Sequence, residues 1–119
     1  MFNKYREKHQ LKADTESFKY DPDIKPIKIR ISFRRLYDEL SAYLKENEYD
    51  NIYEYEKYHE LFGTKGEYEL TFSIIEVELE GLCILNISLY DEFKKGSAYK
   101  AIKPLIKEIK EKYKPLIVE

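Results

Sequence analysis

Cysteine occurs once in these 119 residues, tryptophan not at all, histidine twice, and glycine and proline four times each. One thiol, Cys83, excludes an internal disulfide framework, and its mid-strand position reads as a buried, inert side chain. His9, His59 and Cys83 are too few and too scattered for a closed zinc site. Glu56-x-x-His59 matches one half of a helical di-iron ligand pair, but such sites need a second copy and two further carboxylates. Gly63, Gly66, Gly81 and Gly96 stand singly, so no glycine-rich phosphate loop is present. No serine has a histidine and an acid in a recognised local context. No catalytic residue, metal ligand or cofactor can therefore be named, and the expectation leans away from an enzyme. Long apolar runs are also missing. The longest uncharged stretch, residues 81–90, is far short of the ~20 residues of a membrane helix. The start, MFNKYREKHQ, has no apolar h-region, so a cytoplasmic protein without membrane contact is expected. Neither sign of charge dominates, with 21 Lys+Arg against 23 Asp+Glu, which argues against disorder and against a globally basic nucleic-acid binder.

What the chain does contain is one dominant stretch, residues 66–90, GEYELTFSIIEVELEGLCILNISLY. Two strand-favouring apolar runs meet at Glu80-Gly81 and predict a long antiparallel hairpin. With a two-residue turn, Leu79 faces Leu82, Val77 faces Ile84 and Phe72 faces Leu89. One face then carries Tyr68, Leu70, Phe72, Ile74, Leu85, Ile87 and Leu89. Near the turn the apolar residues change sides, because Ile75, Val77, Leu79, Leu82 and Ile84 share the opposite face. A bulge near Ile74-Ile75 would restore a single apolar face; without it, the tip needs cover from the far side.

At this length one domain is expected. Residues 1–25 read as an N-terminal segment, a thin helix over 1–13 with Phe2, Tyr5 and His9 in register, then an extended connector with Phe18 and Tyr20 on the surface. Residues 26–119 read as a single α+β domain. Residues 26–33 alternate Ile27, Ile29, Ile31 and Phe33 with polar residues and predict a half-buried strand. Phe33, Leu36, Tyr37, Leu40, Tyr43 and Leu44 then predict a core-facing helix capped by Ser32. Arg34 and Arg35 oppose its dipole, unless i,i+4 partners Asp38 and Glu39 or an acidic partner molecule meet them. In residues 49–62 the spacing of Ile52, Tyr55, Tyr58, His59 and Phe62 favours a Tyr-rich helix over a short strand through Tyr53, Tyr55 and Lys57. From Ser97 a long amphipathic helix buries Ala98, Ala101, Ile102, Leu105, Ile106, Ile109 and Tyr113, with Pro104 either kinking it or marking its first turn. Residues 116–118 predict a short last strand. The fold expected is an α+β antiparallel sheet built on the hairpin, with helices on one face and a Tyr-rich helical insert. Its element order resembles the split βαβ of a ferredoxin-like sandwich.

Two surfaces stand out. Lys100, Lys103, Lys107, Lys110 and Lys114 fall on one side of the last helix, and with Arg34 and Arg35 they are the candidate contacts for an anion or nucleic acid. Lysine outnumbers arginine seventeen to four, a bacterial-like composition of AT-rich or thermophilic type, which weakens that reading. Ile75, Val77, Leu79, Leu82 and Ile84, with Tyr53 and Tyr55, are the candidate protein interface. Both chain ends are basic and the middle is acidic, so segments can neutralise one another within the fold or between copies. The leading expectation is a non-enzymatic interaction module that forms a homodimer or binds a protein partner. Its rivals are a nucleic-acid binder using the lysine stripe and a small-molecule-binding regulatory domain.

Overall fold

The computed structural model describes residues 6–118. The two apolar runs form the predicted ladder, with β5 (Tyr68–Val77) antiparallel to β6 (Leu82–Asp91) from Tyr68↔Asp91 to Val77↔Leu82. Their connection is longer than two residues. A 3-10 turn over Glu78–Glu80 leads into Gly81 at φ 64°, whose N–H donates to the Glu78 carbonyl at 3.2 Å. Glycine enters that left-handed region without the penalty a Cβ brings. The register is thus displaced by two residues from a two-residue turn, and Ile75 faces Ile84. Because side chains alternate with period two, a displacement of two leaves each one on its expected face. The ladder carries no bulge at Ile74-Ile75. The shift that does occur lies elsewhere, between Asp50 and Tyr53.

The Tyr-rich helix expected over residues 49–62 is instead a second hairpin: β3 (Asp50–Tyr55), a 3-10 turn over Glu56–Tyr58 and β4 (Glu60–Lys65). The period-two spacing of Tyr53 and Tyr55 prevails over the helical spacing because aromatic residues suit a pleated surface. In addition, β4 finds a full-length partner in β5, from Glu60↔Ser73 to Lys65↔Tyr68. Its loop repeats the geometry of the first hairpin, with His59 at φ 57° and its N–H on the Glu56 carbonyl at 2.9 Å. A non-glycine residue there costs roughly 1–2 kcal/mol. Packing of the His59 ring on Phe33, centroids 4.1 Å apart, offsets part of it.

On its other edge β6 is shared. β1 (Lys12–Asp14) pairs with residues 88–90 and β2 (Ile27–Ile29) with residues 83–85. Thr15 fills the gap between them. Its N–H donates to the Ile87 carbonyl at 3.0 Å, and its hydroxyl accepts from the Ile87 N–H at 2.9 Å while donating to Asn86 Oδ1 at 3.0 Å. The free edge of β2 takes the C-terminal segment, where Ile117 bridges Ile29 and the Val118 N–H reaches the Lys28 carbonyl at 2.9 Å. The expected last strand is therefore a single bridge after a 3-10 turn at Lys114–Leu116. The result is a six-stranded antiparallel sheet. Ile117, β2, β6 and β5 neighbour one another in that order with each pair antiparallel, which is compatible with the split βαβ element order; β1 and the second hairpin lie outside it. β2 and β3 lie toward opposite edges, and every strand pair among the described residues is antiparallel.

Both long helices cover the same sheet face, as expected. α1 (Phe33–Glu46) is capped by Ser32, whose Oγ accepts from the Arg35 N–H at 3.3 Å, and it buries Leu36, Tyr37, Leu40, Tyr43 and Leu44. α2 (Ser97–Lys112) buries Ala98, Ile102, Leu105, Ile106 and Ile109, with Gly96 rather than Ser97 at the N-cap. Pro104 neither begins nor ends α2, which runs on through it. That residue and Lys100 are exposed, so water can reach the Lys100 carbonyl that proline cannot serve. Hydrogen bonds tie the two helices together, Tyr43 Oη to Glu108 at 3.2 Å and Tyr113 Oη to Glu39 at 2.8 Å. Beneath them lie Leu70, Phe72, Ile74, Leu85, Ile87 and Leu89 of the central hairpin, all buried.

Residues before 26 do not stand apart from this core. Ile24 is buried, and Phe18, expected on the surface, is buried with its ring stacked on Tyr99 at 6.5 Å. Tyr20 is exposed as expected. Of the N-terminal helix expected over 1–13, residues 6–8 are helical and 12–14 are strand; Phe2 and Tyr5 lie outside the described residues. Cys83 is buried, its Sγ 3.4 Å from the Ile31 carbonyl oxygen.

The Thr15 splice makes a testable demand. Thr15→Val keeps the volume but leaves the buried Ile87 N–H and Asn86 oxygen short of a partner, a loss of about 1–3 kcal/mol. Leu79→Ala, at the exposed loop tip, should stay within ~0.5 kcal/mol of the parent. Urea denaturation of both variants measures the contrast.

Candidate functional site

Among the described residues, helices pack on one face of the sheet only, and strand register defines what the other face presents. Tyr53, Phe62, Thr71 and Ser88 form one row across the strands, and Tyr55, Glu60, Ser73 and Asn86 the next. Toward the hairpin tip, Ile75, Ile84 and Lys28 form a third row and Val77 and Leu82 a fourth. The middle of this open face is polar and its two extremes are apolar. Both extremes follow from the sequence: alternation puts Tyr53 and Tyr55 outward on β3, and the apolar run on β5 continues after the inward positions have been filled.

The candidate interface residues therefore share this side of the molecule but differ in availability. Ile75 is 50% exposed, Tyr53 52% and Tyr55 47%, while Leu79 stands free at the loop tip. Val77 and Ile84 are half-buried and Leu82 is buried. The rings of Tyr53 and Tyr55 stack on each other, centroids 6.0 Å apart, and Tyr53 also meets Phe62 at 6.1 Å. β3 is an edge strand, so its outer backbone groups have no strand partner among the described residues. Phe18 gives the tip no cover, since it packs against Tyr99 on the helix side of the sheet.

The basic candidates are dispersed. Arg34 bonds Asp38 at 2.8 Å and Glu56 at 2.5 Å, and Arg35 bonds Glu39 at 2.8 Å. The i,i+4 partners thus answer the dipole conflict, and the second hairpin loop adds a carboxylate that the sequence pattern does not reveal. Of the lysine stripe, Lys100, Lys103, Lys107 and Lys110 lie on α2, whereas Lys114 lies beyond its end in the 3-10 turn. Lys103 is committed to Asp21 at 3.3 Å and Asp23 at 3.4 Å. Lys107 and Lys110 remain exposed beside the cleft that Asp23 and Pro104 also line. Lys100 opens onto a different cleft, with Lys8, Lys94 and Lys95. Among the described residues, no group of three or more His, Cys, Asp or Glu side chains is placed to hold a metal ion. Nor is any helix among them long and apolar enough to cross a membrane.

Asp21 clasps the connector to α2. It is almost fully buried and accepts hydrogen bonds from Tyr99 Oη and Lys103 Nζ. Burial disfavours its charged form, but the hydrogen bonds from Tyr99, the Asp23 backbone and Lys103 outweigh that, and its carboxyl is held below the ordinary value. A depressed carboxylate stabilises the fold above its unfolded pKa, about 4, and loses that contribution as pH falls through the lower folded value. Asp21→Asn should therefore unfold at lower urea than the parent at neutral pH. The gap should narrow as pH falls below about 4, as the parent carboxylate protonates. Urea midpoints across that range are the measurement.

Compared with known protein families, curated proteins and solved structures, the chain matches none.

Proposed function

We propose that this chain is an interaction module that docks a second copy of itself on the open face of its sheet. The observation that carries the reading is the exposure of Ile75, Tyr53, Tyr55 and Leu79 on a side that no helix among the described residues covers. Tyrosine is favoured in interface cores, and full burial of one aliphatic side chain contributes about 1.5–3 kcal/mol.

Charge supports a second copy as the occupant. The β4–β5 half of the face carries Glu60 and Glu69, and the β1–β2 side carries Lys28 and Arg30 against Glu16, while Lys12 is neutralised by Asp14 at 3.4 Å. A two-fold axis parallel to the strands lays the acidic half of one copy over the basic half of the other. The same axis keeps position along the strands, so Ile75 of one copy meets Ile84 of its mate. Such an arrangement is isologous and self-complementary, and it is the aligned packing that twisted sheets adopt.

Light scattering tests this directly. The expected result is a mass of two chains for the parent. Ile75→Lys, which introduces like charges at the axis, should give one folded chain, since Ile75 is half exposed in the single chain, with a melting temperature below that of the parent dimer. A parent that stays a single chain across the accessible concentration range overturns self-association. A dimer indifferent to Ile75→Lys overturns this face as its seat.

A further inference from the structure

At the other end of the central hairpin, on the helix side of the sheet, a concavity of about 560 Å3 is lined by Lys8, Lys94, Lys95 and Lys100. None of its lining residues among those described is acidic. None of the four lysines forms an ion pair with a carboxylate among the described residues, in contrast to Lys103 one turn along α2. Four ammonium groups around one hollow, none of them in an ion pair, repel each other and raise the local potential. Concave, low-dielectric walls focus such a field.

The cluster is assembled by the fold. Lys94 and Lys95 sit on the loop between β6 and α2, which Asp91 pins by accepting from the N–H groups of Phe93 at 2.9 Å and Lys94 at 3.3 Å. Asp91 itself is fully buried with Oδ2 unpaired, so it places one negative charge behind the wall that the four lysines outnumber. Lys8 arrives from the other end of the chain. The Gly96 N–H donates to the Gln10 carbonyl at 2.9 Å, and a Cβ on Gly96 would meet the Lys8 carbonyl oxygen at 3.1 Å. With φ at 87° as well, glycine is the residue that permits this approach. The first turn of α2 adds donors: it has no acidic residue, and its cap offers no side chain to the first N–H groups, unlike the Ser32 cap of α1. At the wall, the Ser97 and Tyr68 hydroxyls share a hydrogen bond of 2.5 Å.

We infer that this concavity binds a small polyphosphate anion, with Lys8, Lys94, Lys95 and Lys100 as its counter-charges. A group bearing two or more negative charges on tetrahedral oxygens matches several flexible point-charge donors around a hollow, the role lysine fills at phosphates. The site is distinct from the open face, and its success or failure is independent of self-association.

Titration calorimetry with inorganic pyrophosphate at low salt tests it, with orthophosphate and a short single-stranded oligonucleotide as comparison probes. The parent should bind pyrophosphate more tightly than orthophosphate. Lys95→Ala with Lys100→Ala should weaken it by about tenfold or more, since two charge-assisted contacts are lost. Lys107→Ala with Lys110→Ala should leave it unchanged, and circular dichroism should show all of these proteins folded. No pyrophosphate binding overturns the inference, as does equal weakening by both lysine pairs, which would mean diffuse attraction. An oligonucleotide that binds more tightly than pyrophosphate through both pairs would replace it with the nucleic-acid reading.

Discussion

The structure depends on one strand being paired along both of its edges. β6 is hydrogen-bonded to β5 over its full length, and on its other side to β1 and β2, with Thr15 spliced between. A strand in that position must satisfy every backbone group within the sheet and present compatible side chains to both faces. Residues 82–90 meet both demands by carrying no charge at all. Inward, Cys83, Leu85, Ile87 and Leu89 give α1 and α2 a continuous apolar floor. Outward, Asn86, Ser88 and Tyr90 offer a helix no apolar seat, so the second layer forms on one side only. The open face is thus a consequence of the alternation in β6, and so is its polar centre.

The alternation fails at the tip, where Ile75 and Ile84 are apolar on the side that should be polar. No bulge has moved the side chains inward, and no element of the described chain has moved over them. A local rule broken without compensation inside the fold is where a functional surface is to be sought. The same holds at the far edge for Tyr53 and Tyr55, which a solvated edge strand does not need. Edge strands are commonly blunted by charge, and here Asp50, Glu54 and Glu56 line β3 and its loop.

The central hairpin, the strand at Ile27–Ile29 and both long helices were legible because each carries a strong period over its own length. Side-chain faces on β5 and β6 were legible even though the loop was not, since the four-residue turn changes register by an even number. The second hairpin was harder to read because Ile52, Tyr55, Tyr58 and Phe62 satisfy a helical spacing by coincidence, while what selects strand is the long-range pairing of β4 with β5. Repetition was the available signal: Glu56 to His59 and Glu78 to Gly81 make the same turn. β1, three residues long, has no pattern of its own; it exists because residues 88–90 need a partner. Phe18 and Ile24 looked like connector residues because their burial depends on Asp21 reaching Tyr99 and Lys103 of α2. The lysine stripe was legible as a helical pattern, but not which lysines would be neutralised.

The charge segregation along the chain takes its meaning from that last point. The basic N-terminal third and the basic C-terminal quarter meet at α2, where mutual repulsion has to be relieved. Around Lys103 it is relieved internally, by Asp21 and Asp23. One turn earlier it is not, because Gly96 brings the Lys8 backbone against the loop bearing Lys94 and Lys95 while Asp91 turns inward to hold that loop. The cations outside ion pairs sit at the Tyr68↔Asp91 end of the ladder on the helix side, whereas the uncovered isoleucines sit toward the Val77↔Leu82 end on the open side. A ten-residue ladder spans roughly 30 Å at the usual rise per residue. Opposite faces and opposite ends mean that an anion in the lysine hollow and a second copy on the sheet share no contact residue. Any influence of one on the other must travel through β5 and β6, the two strands on which the rest of the fold is built.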